Sequence, residues 1–543
     1  MTQPTFSSRR SPIYGRRGIV STSQPLATAA GIEILSKGGN AAAAAVAAAA
    51  ALNVTEPMST GIGGDMFALY FDARTKQVTA INGSGRTPSA LTLDRLKSER
   101  FLADELPPFH AHTVTVPGAC AGWCDLIENH GSLSMAEILA PAIRLADEGF
   151  PVSPLTSYYW SGGVQRQLKS SLNGYELTID GRAPREGEIF RNPGLAKTLS
   201  AVAQENKRGF YQGQIAEAIV SVIKGAGGCL SEGDLASHVS TWETPISVNY
   251  RGLRVHECPP NGQGITALIA LNILEGFDLS SLPSLSTERM HIMIEAMRLA
   301  FADSRWYVAD PTFSRIPVEE LLSKGYANER RKLIDMKRAT VDPKRGTPVA
   351  SSNTVYLSVV DGAGNACSFI NSNYWGFGTG IVPKGWGFVL QNRGHNFSLD
   401  PNHPNALAPG KRPYHTIIPA MVTRESDNSL YASYGVMGGF MQPQGHVQVL
   451  SALVYDGLDP QSALDLLRFC IDVEESGGGV ALEEGMPNKT MDALKKLGHP
   501  IYQVSGYDRA LFGRGQVILR NAESGVLCAG SDPRADGCAM TLS

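Results

Sequence analysis

Cysteine is scarce: eight residues in a chain of 543, with no CxxC pair among them. That spacing excludes a disulfide-stapled scaffold and leaves a tetrahedral zinc site without its usual ligand pattern. Cys120 and Cys124 stand one helical turn apart, and the other six are single, as expected of small buried hydrophobes. Charge of one sign is lacking too. The formal net charge is -3, no dense Lys/Arg stripe is present, and "RRSPIYGRR" (9–17) is basic but short. Neither nucleic acid nor an anionic membrane is favoured as a partner. No apolar run is long enough to span a bilayer, because the longest, "AAAAAVAAAAALNV" (41–54), is short and built of alanine. The N-terminal stretch has no apolar signal-peptide core, so a reduced, cytoplasmic location is expected.

What is present describes a large folded protein. Hydrophobic residues make up 43% of the chain and charged residues 18%. A length prior suggests several domains. A helix is expected over 27–35, ended by "KGGN" (37–40), and the alanine run reads as a second helix, buried and packed through small side chains. "GIGGD" (61–65) is a glycine turn feeding the strand "MFALYF", with "QVTAING" as its partner. The Gly pattern has no strand before it and no helix after it, so a dinucleotide loop is rejected. Helical periodicity returns over 133–149 and again from "STERMHIMIEAMRLAFADSRWY", capped by Ser286 or Thr287. Residues 330–354 read as an exposed linker, basic at first and then rich in Pro, Gly and Ser. It runs straight into "NTVYLSVVDGAGNACSF" (353–369), a strand–turn–strand pattern headed by Thr354. Thr354 is either one more β-branched strand residue or a nucleophile behind a bond that must break.

Seven stretches in collinear order bear on that choice: "GGNAAAAAVAAAAALNVTEPMSTGIGGDMF", "TVPGACAGWCDLIENHGSLSMAEILAPAIRLADEGF", "NTVYLSVVDGAGNACSF", "FGTGIV", "GKRP", "GVMGGFMQPQ" and "SDPRADG". Together they resemble the γ-glutamyltransferase family of N-terminal-nucleophile hydrolases. The resemblance implies an α+β, four-layer αββα sandwich and a precursor that cuts itself between Asn353 and Thr354. The two pieces, 1–353 and 354–543, would then interleave in one fold, against the length prior. It also implies Thr354 as nucleophile, Gly438 and Gly439 as backbone donors to the oxyanion, and Ser372 as a supporting hydroxyl. The chemistry is coherent. A threonine hydroxyl needs an adjacent base, and cleavage creates one in the new α-amine, whose ordinary pKa is about 7.7–8.0. For Ser372 a plain strand-face hydroxyl is the competing reading, and for Gly438 and Gly439 a simple turn.

The pocket departs from the γ-glutamyl-specific pattern. Tyr374 stands at the family's Asn position, Arg393 at its Gln and Asn396 at its Asp, the three that surround the α-ammonium. His415 and Thr416 replace the paired serines after "GKRP", and Ser84 takes the aligned arginine position, with Arg86 two residues on. An added guanidinium and a lost carboxylate favour an anionic acyl group over one with an α-ammonium. In this segment the chain resembles the oxamate amidohydrolase and cephalosporin acylase-like branch more than glutathione-processing members. The bland alternative for Arg393 is an ion pair with Asp400 or another acid. His395, His403, His415 and His446 fit no ligand spacing, so no metal or cofactor is expected. The expected function is therefore self-processing amide hydrolysis or acyl transfer on a small molecule. A γ-glutamyltransferase with a rearranged pocket and an uncleaved, silent relative are the alternatives. The acceptor and any higher oligomer stay open.

Overall fold

The computed structural model describes residues 10–101, 103–340, 354–471 and 478–543. Two seven-stranded antiparallel sheets form its centre. The first runs, edge to edge, Cys538–Thr541, Gly18–Thr22, Val355–Asp361, Ala366–Ser372, Asp65–Asp72, Gln77–Gly83 and Thr241–Glu243. The second runs Ile13–Gly15, Leu527–Ser531, Arg514–Arg520, Leu430–Met437, Ala420–Arg424, Leu253–Glu257 and Ile246–Tyr250. Each sheet draws strands from both sides of the 341–353 segment, and every pairing within the two sheets is antiparallel.

Helices cover the outer face of each sheet, which completes the αββα layering. Over the first sheet lies the alanine helix Ala41–Thr55, buried along its whole length. Its small side chains allow close approach to the strands Val355–Asp361 and Ala366–Ser372 and to the helix Pro25–Ser36. Asn40 caps it by accepting from the Ala43 N–H at 3.1 Å. Over the second sheet lie Gly264–Leu274 and Met441–Tyr455. Alternation along Ala420–Arg424 shows a strand buried on both faces. Ala420 and Val422 join the core built with those helices, and Met421 joins the core of the first sheet. Hydroxyls stitch the sheets together: Ser358 Oγ donates to Ser433 Oγ at 2.6 Å, and Ser21 Oγ to Gln516 Oε1 at 2.6 Å.

Ser286, rather than Thr287, caps the helix Thr287–Tyr307. The linker expected over 330–354 is tied down at a few points within its described part, 330–340. Arg330 and Arg331 complete the helix Lys324–Arg331, Asp335 O lies 2.9 Å from His291 Nε2, and the Ala339 N–H donates to Leu497 O. Arg330 pairs with Asp303 and Arg331 donates to the Ile273 carbonyl, which composition does not reveal, while Lys332, Asp335, Lys337 and Arg338 are exposed. Residues 341–353, Asn353 included, lie outside the described residues. No helix among the described residues is long and apolar enough to cross a membrane.

Candidate active site

Strand register brings the first two candidates together. Val355 pairs with Asn371, which places Thr354 opposite Ser372 at the open end of the hairpin. Their hydroxyl oxygens lie 3.0 Å apart, and both residues are fully buried. Ser372 Oγ also accepts the Tyr374 N–H at 2.9 Å. Tyr374 itself lies in the left-handed region, at φ 78°. The "GIGGD" turn packs directly behind. A Cβ on Gly64 would sit 2.2 Å from the Ser372 carbonyl oxygen, so only glycine lets the loop approach.

From Tyr374 the contacts continue to a buried guanidinium. Arg393 Cζ lies 4.4 Å from the centre of the Tyr374 ring, and its Nη1 donates to Thr416 Oγ1 at 2.7 Å. The Thr416 carbonyl accepts from Gln263 Nε2 at 2.6 Å, and the same amide donates to Gly439 O at 2.9 Å. Thr354, Ser372, Tyr374, Arg393, Thr416 and Gly439 thus form one continuous set of contacts, drawn from five separate stretches of chain. Gly438 and Gly439 follow the strand Leu430–Met437 with φ 140° and 57° and lead into the helix Met441–Tyr455. Their carbonyls accept the N–H groups of Met441 (2.9 Å) and Gln442 (3.2 Å), which fixes both peptide planes at a helix start, where negative charge is favoured.

Arg393 is 0% exposed. Burial pushes its pKa down to about 10, against the pull of the Asp65 carboxylate, so it remains charged at neutral pH. The Asp400 pairing does not form. Asp400 turns back to accept the Asn402 N–H at 2.9 Å, and among the described residues no carboxylate pairs with Arg393. Arg393 Nε and Nη2 are buried with no hydrogen-bond partner. Such donors are costly unless a ligand meets them.

The remaining pocket candidates are partly committed elsewhere. His415 Nδ1 accepts the Ile417 N–H at 3.3 Å, so Nε2 carries the proton and donates to Asp65 Oδ2 at 3.0 Å. Burial, and then the Arg393 charge, holds the His415 pKa down to about 3, so this imidazole is neutral. Asn396 Nδ2 donates to the Tyr414 carbonyl at 3.1 Å. Arg86 is half-buried, and its carbonyl accepts the Val116 N–H at 3.0 Å.

Three supports escaped the sequence reading. Asp65 Oδ1 accepts from the Gly85 N–H (3.0 Å), the Gly118 N–H (3.2 Å) and Gln391 Nε2 (3.0 Å), tying three loops beneath the pocket. Gln263 joins Thr416 to Gly439. Arg514 reaches from Glu56 Oε2 (3.4 Å) to the Thr354 carbonyl (3.5 Å). Of these, only Asp65 had a local signal, its place after the glycine turn. Among the described residues, one cluster has metal-ligand chemistry: His291, Glu295 and His499, all buried. Its groups are already paired with protein: His291 Nδ1 with His499 Nε2 at 2.7 Å, and Glu295 Oε1 with Arg298 Nη1 at 2.9 Å.

A family profile described as Gamma-glutamyltranspeptidase matches residues 27–542. The chain belongs to that family. It is a hydrolase of the N-terminal-nucleophile fold, as the collinear motifs led one to expect. Among its relatives is the "Glutathione hydrolase-like YwrD proenzyme" of Bacillus subtilis, 37% identical over 534 residues, covering 98% of this chain and 99% of the relative. The oxamate amidohydrolase proenzyme of Klebsiella pneumoniae is 31% identical over 521 residues, covering 95% and 96%. The crystal structure of cephalosporin acylase from Bacillus halodurans superposes with a TM-score of 0.92 at 46% identity, covering 100% of this chain and 99% of that one.

Proposed function

We propose that the chain cuts itself before Thr354 into subunits of residues 1–353 and 354–543, and that the exposed threonine hydrolyses the amide of a short acyl group ending in a carboxylate. In the first reaction the Thr354 hydroxyl attacks the Asn353 carbonyl. The peptide becomes an ester, water resolves it, and the freed α-amine becomes the base for later turnovers. In the second, Thr354 Oγ1 attacks the substrate amide, the N–H groups of Gly438 and Gly439 receive the oxyanion, and Ser372 holds the nucleophile. Arg393 and Thr416 take the acyl carboxylate, with Tyr374, His415, Asn396 and Arg86 around them.

The observation that carries this reading is Arg393: charged, fully buried, and left with unpartnered Nε and Nη2 in the set of contacts that includes Thr354. A planar carboxylate satisfies that fork. The relatives named as an oxamate amidohydrolase and a cephalosporin acylase support amide hydrolysis without a γ-glutamyl requirement. The name of the Bacillus subtilis relative favours a second reading, a γ-glutamyl donor, on the same machinery.

The test begins with intact mass and N-terminal sequencing of the wild type beside Thr354→Ala. Two chains, the smaller starting at Thr354, are expected for the wild type, and one uncut, inactive chain for the variant. A wild type that stays whole under all conditions overturns the proposal. Assays of glutaryl and oxamate amides beside γ-glutamyl anilides then separate the two donor readings.

A further inference from the structure

The acyl side of the site is closed. Thr354, Tyr374, Arg393 and Thr416 are all buried, so an acyl group that meets the unpartnered Arg393 donors would be enclosed by protein. The other half of the amide must leave in a different direction, and a large cleft among the described residues reaches the site. A cleft of about 1240 Å³ has Gly438 in its wall. It touches the site a second time through Tyr159. The Arg514 guanidinium carbon lies 5.8 Å from the Tyr159 ring centre, and Arg514 Nη2 reaches the Thr354 carbonyl at 3.5 Å.

The lining is aromatic, and the rings are held in place. Tyr158 lies against Tyr507 (centroids 4.8 Å, interplanar angle 39°) and edge-on to Tyr159 (5.2 Å, 76°). Tyr158 Oη donates to Asp508 Oδ1 at 3.2 Å, and Tyr159 Oη to the Tyr507 carbonyl at 2.5 Å. Tyr158 is nevertheless 41% exposed, so its ring is presented to the opening rather than spent in the core. The rim carries Arg166, Arg185, Glu186 and Asp508, charges of both signs, so net charge does not select the occupant.

We propose that this cleft is the subsite for the amine half of the substrate, and that it prefers a planar, aromatic amine laid on Tyr158 and Tyr507. This rests on the amidase reading above. When the C–N bond breaks, the acyl group stays on Thr354 Oγ1 as an ester. The amine nitrogen takes the proton that the Thr354 hydroxyl surrendered to the α-amine, and the neutral amine departs along the tyrosines. The substrate class is therefore asymmetric, with a small anionic acyl group in the closed pocket and a larger planar amine in the open cleft.

The experiment compares glutaryl-4-nitroanilide with glutaric acid monoamide, whose leaving group is ammonia, on processed wild type, Tyr158→Ala, Tyr158→Phe and Tyr507→Ala. The ratio of kcat/KM for the anilide to that for the monoamide is expected to fall about five- to tenfold in either alanine variant, the range of one lost ring contact, and to recover in Tyr158→Phe. An unchanged ratio overturns the proposal. Saturation-transfer NMR with 4-nitroaniline reads the subsite without turnover. Transfer to the wild type that weakens in Tyr158→Ala supports the cleft even if the wild type cleaves neither amide, an outcome that sinks the amidase reading alone. No transfer to the wild type sinks the subsite.

Discussion

Two buried arginines differ in what their donors meet, and the difference sets a structural cation apart from one proposed to bind substrate. Arg534, in "SDPRADG", is 2% exposed, and Arg393 is 0% exposed. Arg534 spends all five of its donors. Nε reaches Glu483 Oε1 (2.8 Å), Nη1 reaches Asp532 Oδ1 (3.0 Å) and Leu464 O (2.8 Å), and Nη2 reaches Leu466 O (3.1 Å) and Glu483 Oε2. Burial works against its charge, but Glu483 and Asp532 overcome that penalty and its pKa ends above the ordinary value. Arg393 donates to one hydroxyl, and burial drives its pKa down. Equal burial therefore says little about role, and the partners decide it.

The largest expected difference is in stability. Arg534→Met strands Glu483 and Asp532, which also face Arg509 and Arg468, and should cost about 3–5 kcal/mol. Arg393→Met removes a desolvated charge together with one hydroxyl bond and one ring contact, and should cost less than about 1 kcal/mol. Denaturant unfolding of the two variants measures this. Equal losses would break the comparison and make Arg393 structural.

Activity should show the reverse order. Arg393→Met is expected to lower kcat/KM for carboxylate-bearing acyl donors by about 10²-fold, the scale of a buried charge-assisted pair. Arg393→Lys should restore little, since an ammonium cannot reproduce the planar fork. The pH dependence has a definite sign. On the proposed reading the charged form binds the carboxylate, and burial pushes the Arg393 pKa down to about 10. KM for anionic donors should thus be insensitive to this group well below that pH and rise as pH passes about 10. A KM that stays flat beyond pH 11 in the wild type, together with an unchanged KM in Arg393→Met, would remove Arg393 from the acyl pocket.

Local features of this chain were legible and distant ones were not. The alanine run announced a helix buried all round, and the "DGAGN" turn announced the hairpin whose register sets Ser372 beside Thr354. The fold class followed from the ordered motifs. Gln263, Asp65 and Arg514 carried no such message, because each works through partners far away in sequence. Arg514 and Thr354, for example, are 160 residues apart. Pocket substitutions could be read as chemistry, but not as geometry. Nothing local distinguishes Arg393, left without an acid, from Arg534 held by two, and nothing local shows that His415 and Asn396 are engaged by Asp65 and Tyr414. Composition misled only in part over 330–340: Arg330 pairs with Asp303 and Ala339 is buried, whereas Lys332, Asp335, Lys337 and Arg338 are exposed as the linker reading expects.

The smallest effect belongs to Ser372, and it asks whether the catalytic end behaves like Arg534 or like Arg393. Its Oγ lies 3.0 Å from Thr354 Oγ1 and accepts the Tyr374 N–H at 2.9 Å, so it joins the proposed nucleophile to the backbone that carries the Arg393 ring contact. A neutral hydrogen bond is worth about 0.5–1.5 kcal/mol, so Ser372→Ala should lower kcat by about three- to tenfold, with KM nearly unchanged. Ser372→Thr keeps the oxygen and should recover most of the rate, since a strand end tolerates the added methyl better than a helix does. If Ser372→Ala instead raises KM as Arg393→Met does, Ser372 acts through Tyr374 on the acyl pocket. The division between a catalytic end and a binding end would then dissolve into one cooperative network.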